Sequence, residues 1–426
     1  MNRDEIVRVI EALWRIESAR IIAKLARMLR NVGPAEEIAQ DTWLAALQQW
    51  TETGVPENPG AWLMTTAKNR GIDQLRRQRL LERKSAMMAH DPDLLGSQDF
   101  VGESASTAED VADDLLRLIF VACHPVLSME GRVSLTLRLL GGLTPAEIAR
   151  AFLTSESAIQ QRIVRAKRTL GEARVPFEVP GASERAQRLE SVLEVIYLIF
   201  NEGYAATAGE EWIRPALCEE ALRLGRILAE LAPNEPEVHG LVALMELQAS
   251  RTPARVNTSG EPILLLKQNR TLWDHLLIRR GFAALARAQS SEHPLGPYSL
   301  QAAIAACHAR AGTSEETDWP RIVALYDALH ELQPSPIVSL NRAVAVSMAY
   351  GPAAALEIVD DLRNESRLRD YHLLPSVRGD LLERLGRFEE AGAEFSRAAS
   401  LTANARERSL LLERMAACDP RAVRLN

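Results

Sequence analysis

Residues 139–170, LLGGLTPAEIARAFLTSESAIQQRIVRAKRTL, constrain the fold more than any other stretch, because they specify two helices and the turn between them. Thr144 is a strong N-cap, Pro145 suits the first helical position, and Glu147 completes a capping box. The helix that starts there should run to about Phe152 and bury Ile148, Ala149 and Phe152. Leu153-Thr154 is long enough only for a turn, and Ser155 can cap a second helix. In that helix Ile159, Ile163, Ala166 and Leu170 recur at three- and four-residue steps and form an inner stripe. Ser157, Gln160, Gln161, Arg165 and Arg168 are left facing outward. A short helix, a tight turn and a second helix with amide and basic side chains outward make a helix-turn-helix pattern. Glutamine suits base edges, while arginine and lysine suit phosphates and guanine. An ordinary helical hairpin with a solvated basic face fits the same residues, so the segment alone leaves both readings open.

Helical periodicity extends along nearly the whole chain. Ile6, Ile10, Leu13, Ile16 and Ile21 recur at helical steps, and Ile38, Trp43, Leu44 and Leu47 do so behind the breaker Gly33-Pro34. Sustained two-residue alternation, which a half-buried sheet needs, is absent. The fold class is therefore all-α. The net charge of −7 argues against a chain that simply coats nucleic acid. Its distribution says more: residues 1–84 are net +3, 85–116 contain no Lys or Arg and are net −8, 117–174 are net +5, and the remainder is net −7. The acidic, Gly/Ser/Asp-rich stretch reads as a solvated linker between two modestly basic modules. Four cysteines (Cys123, Cys218, Cys307, Cys418) stand far apart, with neither disulfide nor zinc spacing, which fits reduced thiols in a cytosol. The longest strongly apolar stretch, Leu193–Phe200, is far short of the ~20 residues of a membrane span, and the expected location is cytoplasmic. No phosphate loop, HExxH or GxSxG occurs, and the eight histidines lack ligand spacing. We therefore expect neither an enzyme nor a cofactor or metal.

Two further segments give the helix-turn-helix its context. Ala35–Leu44 reads AEEIAQDTWL, and Asn58–Arg77 reads NPGAWLMTTAKNRGIDQLRR. The first resembles the core-binding helix in region 2 of sigma-70-type factors, the second the DNA-melting helix of the same region, and residues 143–170 resemble region 4. Together, over about residues 1–174, the chain resembles an extracytoplasmic-function (ECF) sigma factor of the two-domain type. No acidic region 1.1 and no folded region 3 is recognisable, which separates it from housekeeping sigma factors.

The resemblance implies roles by position. Glu36, Glu37, Gln40 and Asp41 would meet the β′ clamp of core RNA polymerase, an acidic and amide face for a basic partner. Lys68, Asn69, Arg70, Arg76, Arg77 and Arg79 would meet the melted −10 strand, Asn69 reading an extruded base and the cations holding phosphates. Asp73 is an alternative partner for some of those cations, and Trp62 reads as core. Ser157, Gln160, Gln161 and Arg165 would read the −35 duplex while Arg162, Lys167 and Arg168 hold phosphates, with the region 4 module against the β flap. A DNA-binding regulator that never engages polymerase, or a scaffold carrying degenerate sigma modules, remains an alternative.

About 250 residues follow. Gly351 and Gly386 lie 35 residues apart in similar contexts, and Trp319–Pro334 resembles the second helix of a further unit. With Ala355, Ala391 and Ala398 at small-residue positions, residues 298–426 read as tetratricopeptide-like (TPR-like) repeats able to hold an unidentified protein or peptide partner. Residues 184–297 are expected to be helical and resemble the extension found in one ECF subgroup. There Glu202, Arg251, Arg255, Arg270, Trp273 and Asp274 offer either a pocket lining or structural ion pairs. The expected organisation is a region 2 module (1–84), an acidic linker (85–112), a region 4 module (113–174), a helical extension (184–297) and the repeats (298–426).

Overall fold

A computed structural model describes residues 3–89, 108–152, 154–290 and 294–418. The chain divides into two compact units, Met1–Val195 and Ile196–Asn426. Within the described residues the fold is helical, its only strands being the two-residue β1 (Ala208–Gly209) and β2 (Ala403–Asn404), which pair in parallel.

The first unit begins with α1 (Arg3–Leu29), α2 (Val32–Thr53) and α3 (Pro59–Ala89). The buried stripe of α1 runs through Ile6, Ile10, Trp14, Ile21, Ile22 and Leu25. Ile16, expected in that stripe, is 61% exposed. Four-residue steps from Ile10 reach Trp14, and Ile16 falls on the opposite face. Helix α2 starts earlier than the Gly33-Pro34 breaker suggests, because the Asn31 side chain accepts from Gly33 N at 3.0 Å. Pro34 then lies in the first turn, where its missing N–H has no intrahelical partner to lose. Trp50 is fully buried and meets the half-buried Trp62 edge-on at 5.2 Å.

Helices α4 (Ala108–Ala122), α5 (Met129–Leu139), α6 (Pro145–Ala151) and α7 (Glu156–Glu172) follow, with α4 packed on α1 and α7 on α5 and α6. Most of the acidic linker, residues 90–107, lies outside the described residues, as does Leu153 of the turn. The unit is completed by the first part of α8 (Ala182–Tyr204), where Leu189, Val192 and Leu193 are buried. Ser191 Oγ donates to Cys123 O at 2.6 Å, and Arg188 donates to Phe120 O at 3.0 Å. The boundary between units thus falls within α8.

In the second unit, α9 (Pro215–Leu231), α11 (His275–Gln289) and α12 (Pro297–Arg310) surround α10 (Pro236–Ala249), whose residues 238–247 are all buried. Glycine permits this density: a Cβ on Gly240 would stand 2.3 Å from Ser299 Oγ and 2.7 Å from Ser299 N. Glu237 caps α12, accepting from Tyr298 N at 2.7 Å and Ser299 N at 3.1 Å. From α12 onward each helix packs on its sequence neighbour: α13 (Trp319–Leu332), α14 (Pro336–Tyr350), α15 (Pro352–Asp361), α16 (Leu373–Arg384), α17 (Phe388–Leu401) and α18 (Ala405–Ala417). Gly351 and Gly386 end α14 and α16 with φ of +99° and +76°, and Ala355, Ala391 and Ala398 are fully buried between helices.

Candidate nucleic-acid interface

The capping box is formed: Glu147 N donates to Thr144 Oγ1 at 3.2 Å, and Thr144 N donates to Glu147 Oε2 at 2.8 Å. Ser155 caps α7, accepting from Ala158 N at 3.2 Å. Ile159, Ile163, Ala166 and Leu170 are buried. That seating turns Ser157, Gln160, Gln161, Arg165 and Arg168 to solvent on one face. Gln160 donates to Glu156 at 3.0 Å, and Arg168 lies 3.3 Å from Glu172 in an exposed pair. Such contacts contribute little and yield readily to a ligand. Arg162 is half-buried and, with Arg165, borders a hollow of about 330 Å³ against Ser128 and Glu130 of the α5 start. Val164, absent from the sequence-based set, stands 63% exposed amid the outward face. An aliphatic side chain there is suited to a thymine methyl.

On α3, Asn69, Arg76, Arg77 and Arg79 are exposed, while Lys68 and Arg70 are half-buried. Asp73 lies 3.6 Å from Arg76, with both side chains mostly exposed. On α2, Glu37 and Asp41 are exposed and Gln40 is half-buried.

Glu36 differs. It is 3% exposed, and its carboxylate pairs with Arg138 Nε of α5 at 2.6 Å and with Lys167 Nζ of α7. Gln40 Nε2 donates to the same carboxylate at 2.5 Å. Burial pushes the Glu36 carboxyl up, but Lys167 and Arg138 outweigh it and the net direction is downward. One residue of the expected polymerase-binding set and one of the expected phosphate-binding set are thus spent on each other. Nothing local in the sequence could join positions 102 and 131 residues apart.

Comparison with known proteins identifies what carries this geometry. The family model for sigma-70 region 2 matches residues 13–80, and that for sigma-70 region 4 matches residues 117–170. A family of unknown function, DUF6596, matches residues 188–289. The ECF RNA polymerase sigma factor SigK of Mycobacterium ulcerans (strain Agy99) is 32% identical over 153 residues, which is 35% of this chain and 78% of SigK. The chain belongs to the ECF sigma-70 family. SigK of Mycobacterium bovis (strain BCG / Pasteur 1173P2) is 27% identical over 36% of this sigma factor and 78% of its own length. An uncharacterized protein of Rhizobium meliloti (strain 1021) is 46% identical over 386 residues, 90% of this sigma factor and 89% of the relative.

Members of this family are transcription initiation factors that bind core RNA polymerase and promoter DNA. In this sigma factor α3 belongs to region 2, α7 to region 4, and the Glu36 cluster joins the two regions. Asp114 of α4, 2% exposed, lies 3.5 Å from Arg27 of α1 and 2.7 Å from Arg117 of its own helix, but there burial outweighs the cations and pushes the carboxyl up. Among the described residues no helix is long and apolar enough to cross a membrane.

The acidic residues singled out beyond the sigma regions have structural partners. Glu202 pairs with Arg214 and accepts from Thr207 at 2.9 Å. Asp274 caps α11, accepting from Leu276 N at 2.8 Å and Leu277 N at 3.1 Å. For these two, local structure claims the carboxylate. The neighbouring arginines are a different case.

Proposed function

We propose that this alternative sigma factor, acting in the cytoplasm, rests with regions 2 and 4 latched, and that engagement of polymerase and promoter separates them. The latch is Glu36 with Arg138 and Lys167. Elements centred near −35 and −10 lie roughly 25 base pairs apart, about 85 Å at 3.4 Å per pair. Even α3, with 31 residues, spans only about 46 Å at 1.5 Å per residue. Two modules held at ion-pair distance do not read both elements at once. The open form would present α2, through Glu36, Glu37, Gln40 and Asp41, to the β′ clamp, and region 4 to the β flap. The outward face of α7, Val164 included, would read the −35 duplex, with Arg162, Lys167 and Arg168 on phosphates. Lys68, Asn69, Arg70, Arg76, Arg77 and Arg79 would hold the melted −10 strand. What supports this assignment is the side-by-side exposure of Ser157, Gln160, Gln161, Arg165 and Arg168 on one helix face.

The proposed organisation is region 2 at 1–84, linker at 85–112, region 4 at 113–174, extension at 184–297 and TPR-like repeats at 298–426, the last acting as a regulatory surface for a protein or peptide. The pairwise stacking of α14 to α17 around Gly351 and Gly386 favours the repeat reading. In vitro transcription with core enzyme tests the whole. The wild-type chain should support promoter-specific initiation and Gln161→Ala with Arg165→Ala should not; no initiation by the wild type overturns the proposal. Truncation to isolate the sigma modules should cut after Val195, since a cut near residue 180 removes the α8 residues that pack on region 4.

A further inference from the structure

Arginines withdrawn from solvent in the second unit follow a rule with three exceptions. Arg214, Arg223, Arg226, Arg342, Arg378 and Arg414 each lie within 4 Å of a carboxylate, that of Glu202, Glu220, Glu246, Asp327, Glu394 and Asp380 respectively. Arg251, Arg255 and Arg270 have no ion pair among the described residues, yet they cluster around the Tyr204 and Trp273 rings, with Trp212 6.0 Å from Arg255. The Arg255 guanidinium lies 3.5 Å above the Tyr204 ring, and that of Arg251 lies 5.7 Å from it. Arg251 and Arg270 share the Trp273 ring, at 5.9 and 5.0 Å.

Their hydrogen bonds go to neutral groups. Arg251 donates to the Tyr204 hydroxyl and Arg255 to the Tyr204 carbonyl. Arg270 donates to the carbonyls of His308 and Ala311 at 2.7 Å each, and to Thr317 at 3.1 Å. Burial and the Arg251 charge both push the Arg255 and Arg270 guanidiniums down. Glu315 and Glu316 are the acidic groups that act on Arg270, from outside ion-pair range. Cation–π contact orients a guanidinium without neutralising it.

Three polar atoms in the same cluster are buried without a hydrogen-bond partner: Arg251 Nε, Trp273 Nε1 and His308 Nδ1. Trp273 is 4% and His308 8% exposed. The first two atoms are obligate donors, and buried donors ordinarily find an acceptor. His308 is pushed down to about 3 by burial and by Arg251 and Arg270, so it stays neutral and adds no competing charge.

We propose that this cluster is a binding site for the oxyanion head, carboxylate or phosphate, of a small molecule with a flat or apolar body. Arg251 Nε and the Trp273 indole N–H, the two unpartnered donors, would hold the oxyanion oxygens, and the neighbouring guanidiniums would supply charge, a role that arginine serves better than lysine. The Trp273 ring would line the body, since the Tyr204 ring already stacks on Phe200 and carries the Arg255 guanidinium. The site lies within the second unit and its existence does not depend on the latch.

The test uses the full chain. Inorganic phosphate, benzoate, phenyl phosphate and neutral benzamide are titrated by calorimetry and by thermal melting in an anion-poor buffer. At least one anion should bind and raise the melting temperature, while benzamide should not. Preference for phosphate and phenyl phosphate, or for benzoate, then identifies the head group. Trp273→Phe keeps the ring and removes the N–H, and should weaken binding about tenfold. Arg251→Gln should abolish binding and also raise the melting temperature of the ligand-free protein, because it removes a cation lacking a counter-charge. The exposed control Arg280→Gln should leave binding unchanged. Absence of binding by all three anions, or equal response to benzamide, overturns the proposal. So does an Arg251→Gln chain that melts lower and binds anions as the wild type does.

Discussion

Replacing Lys167 with Gln removes one of the two cations on Glu36 while leaving Arg138 Nε at 2.6 Å and Gln40 Nε2 at 2.5 Å. The carboxylate therefore keeps some of its partners, and the 3–5 kcal/mol expected for wholly orphaning a buried charge is an upper bound. Loss of one charge-assisted hydrogen bond, about 2 kcal/mol, is the better estimate. At 1.4 kcal/mol per factor of ten, the ratio of latched to open molecules should fall roughly 30-fold. Glu36→Gln should act similarly, because the pair of cations outweighs burial at this carboxylate and ionised Glu36 is a net attraction. The sign with pH follows. A carboxyl lowered on latching supports the latch throughout neutral pH and loses that support only as pH falls through and below the ordinary glutamate range. Opening can be read by energy transfer between dyes on cysteines introduced at Thr53 and Ala173, both exposed. The four native cysteines are buried and should react slowly. The double-mutant cycle of Glu36→Gln with Lys167→Gln should show a coupling of about 1.5–3 kcal/mol. Unchanged transfer in both single variants, or strictly additive effects, refutes the latch.

Arg165→Ala with Arg168→Ala should weaken promoter binding across sequences and reduce the slope of log K against log salt by up to about 2, measured by fluorescence anisotropy between 50 and 200 mM salt. Gly240→Ala should destabilise the second unit by about 2–4 kcal/mol in urea unfolding, because its Cβ would stand 2.7 Å from the backbone nitrogen of Ser299, which cannot rotate away. His308 is pushed down to about 3 and His124 to about 4, both first by burial. Below the ordinary histidine value of 6.5 the unfolded chain takes up these protons first. Stability should then fall by up to about 1.4 kcal/mol per pH unit for each. His308→Gln should make the loss between pH 6.5 and 4.5 shallower in thermal melts.

Much of region 4 was legible because its signals are local. A cap, its N3 partner and the next cap lie within a dozen residues, so Thr144, Glu147 and Ser155 define the turn before any tertiary contact forms. The outward set on α7 followed from the period of its apolar residues. Ile16 leaves the expected stripe because a stripe admits three- and four-residue steps, and only packing against neighbouring helices selects one series. The exposure of Val164 is not legible in the sequence, because an aliphatic residue carries no marker of exposure by itself. The arginine-aromatic cluster was legible only as a set of residue types. Whether Arg251 and Arg270 meet a carboxylate depends on where Glu202 and Asp274 turn, and both turn to local partners.

The sequence by itself determined the helices, their caps, and the basic and amide faces, since these depend on period and near-neighbour chemistry. Tertiary structure alone decided which charges meet. Glu36, Arg138 and Lys167 converge across more than a hundred residues, whereas Arg251, Arg255 and Arg270 converge without a carboxylate at ion-pair distance among the described residues. The physical reason is the same in both cases. The energy of a charge is set by the dielectric and the partners around it, and burial supplies both only once the helices have packed.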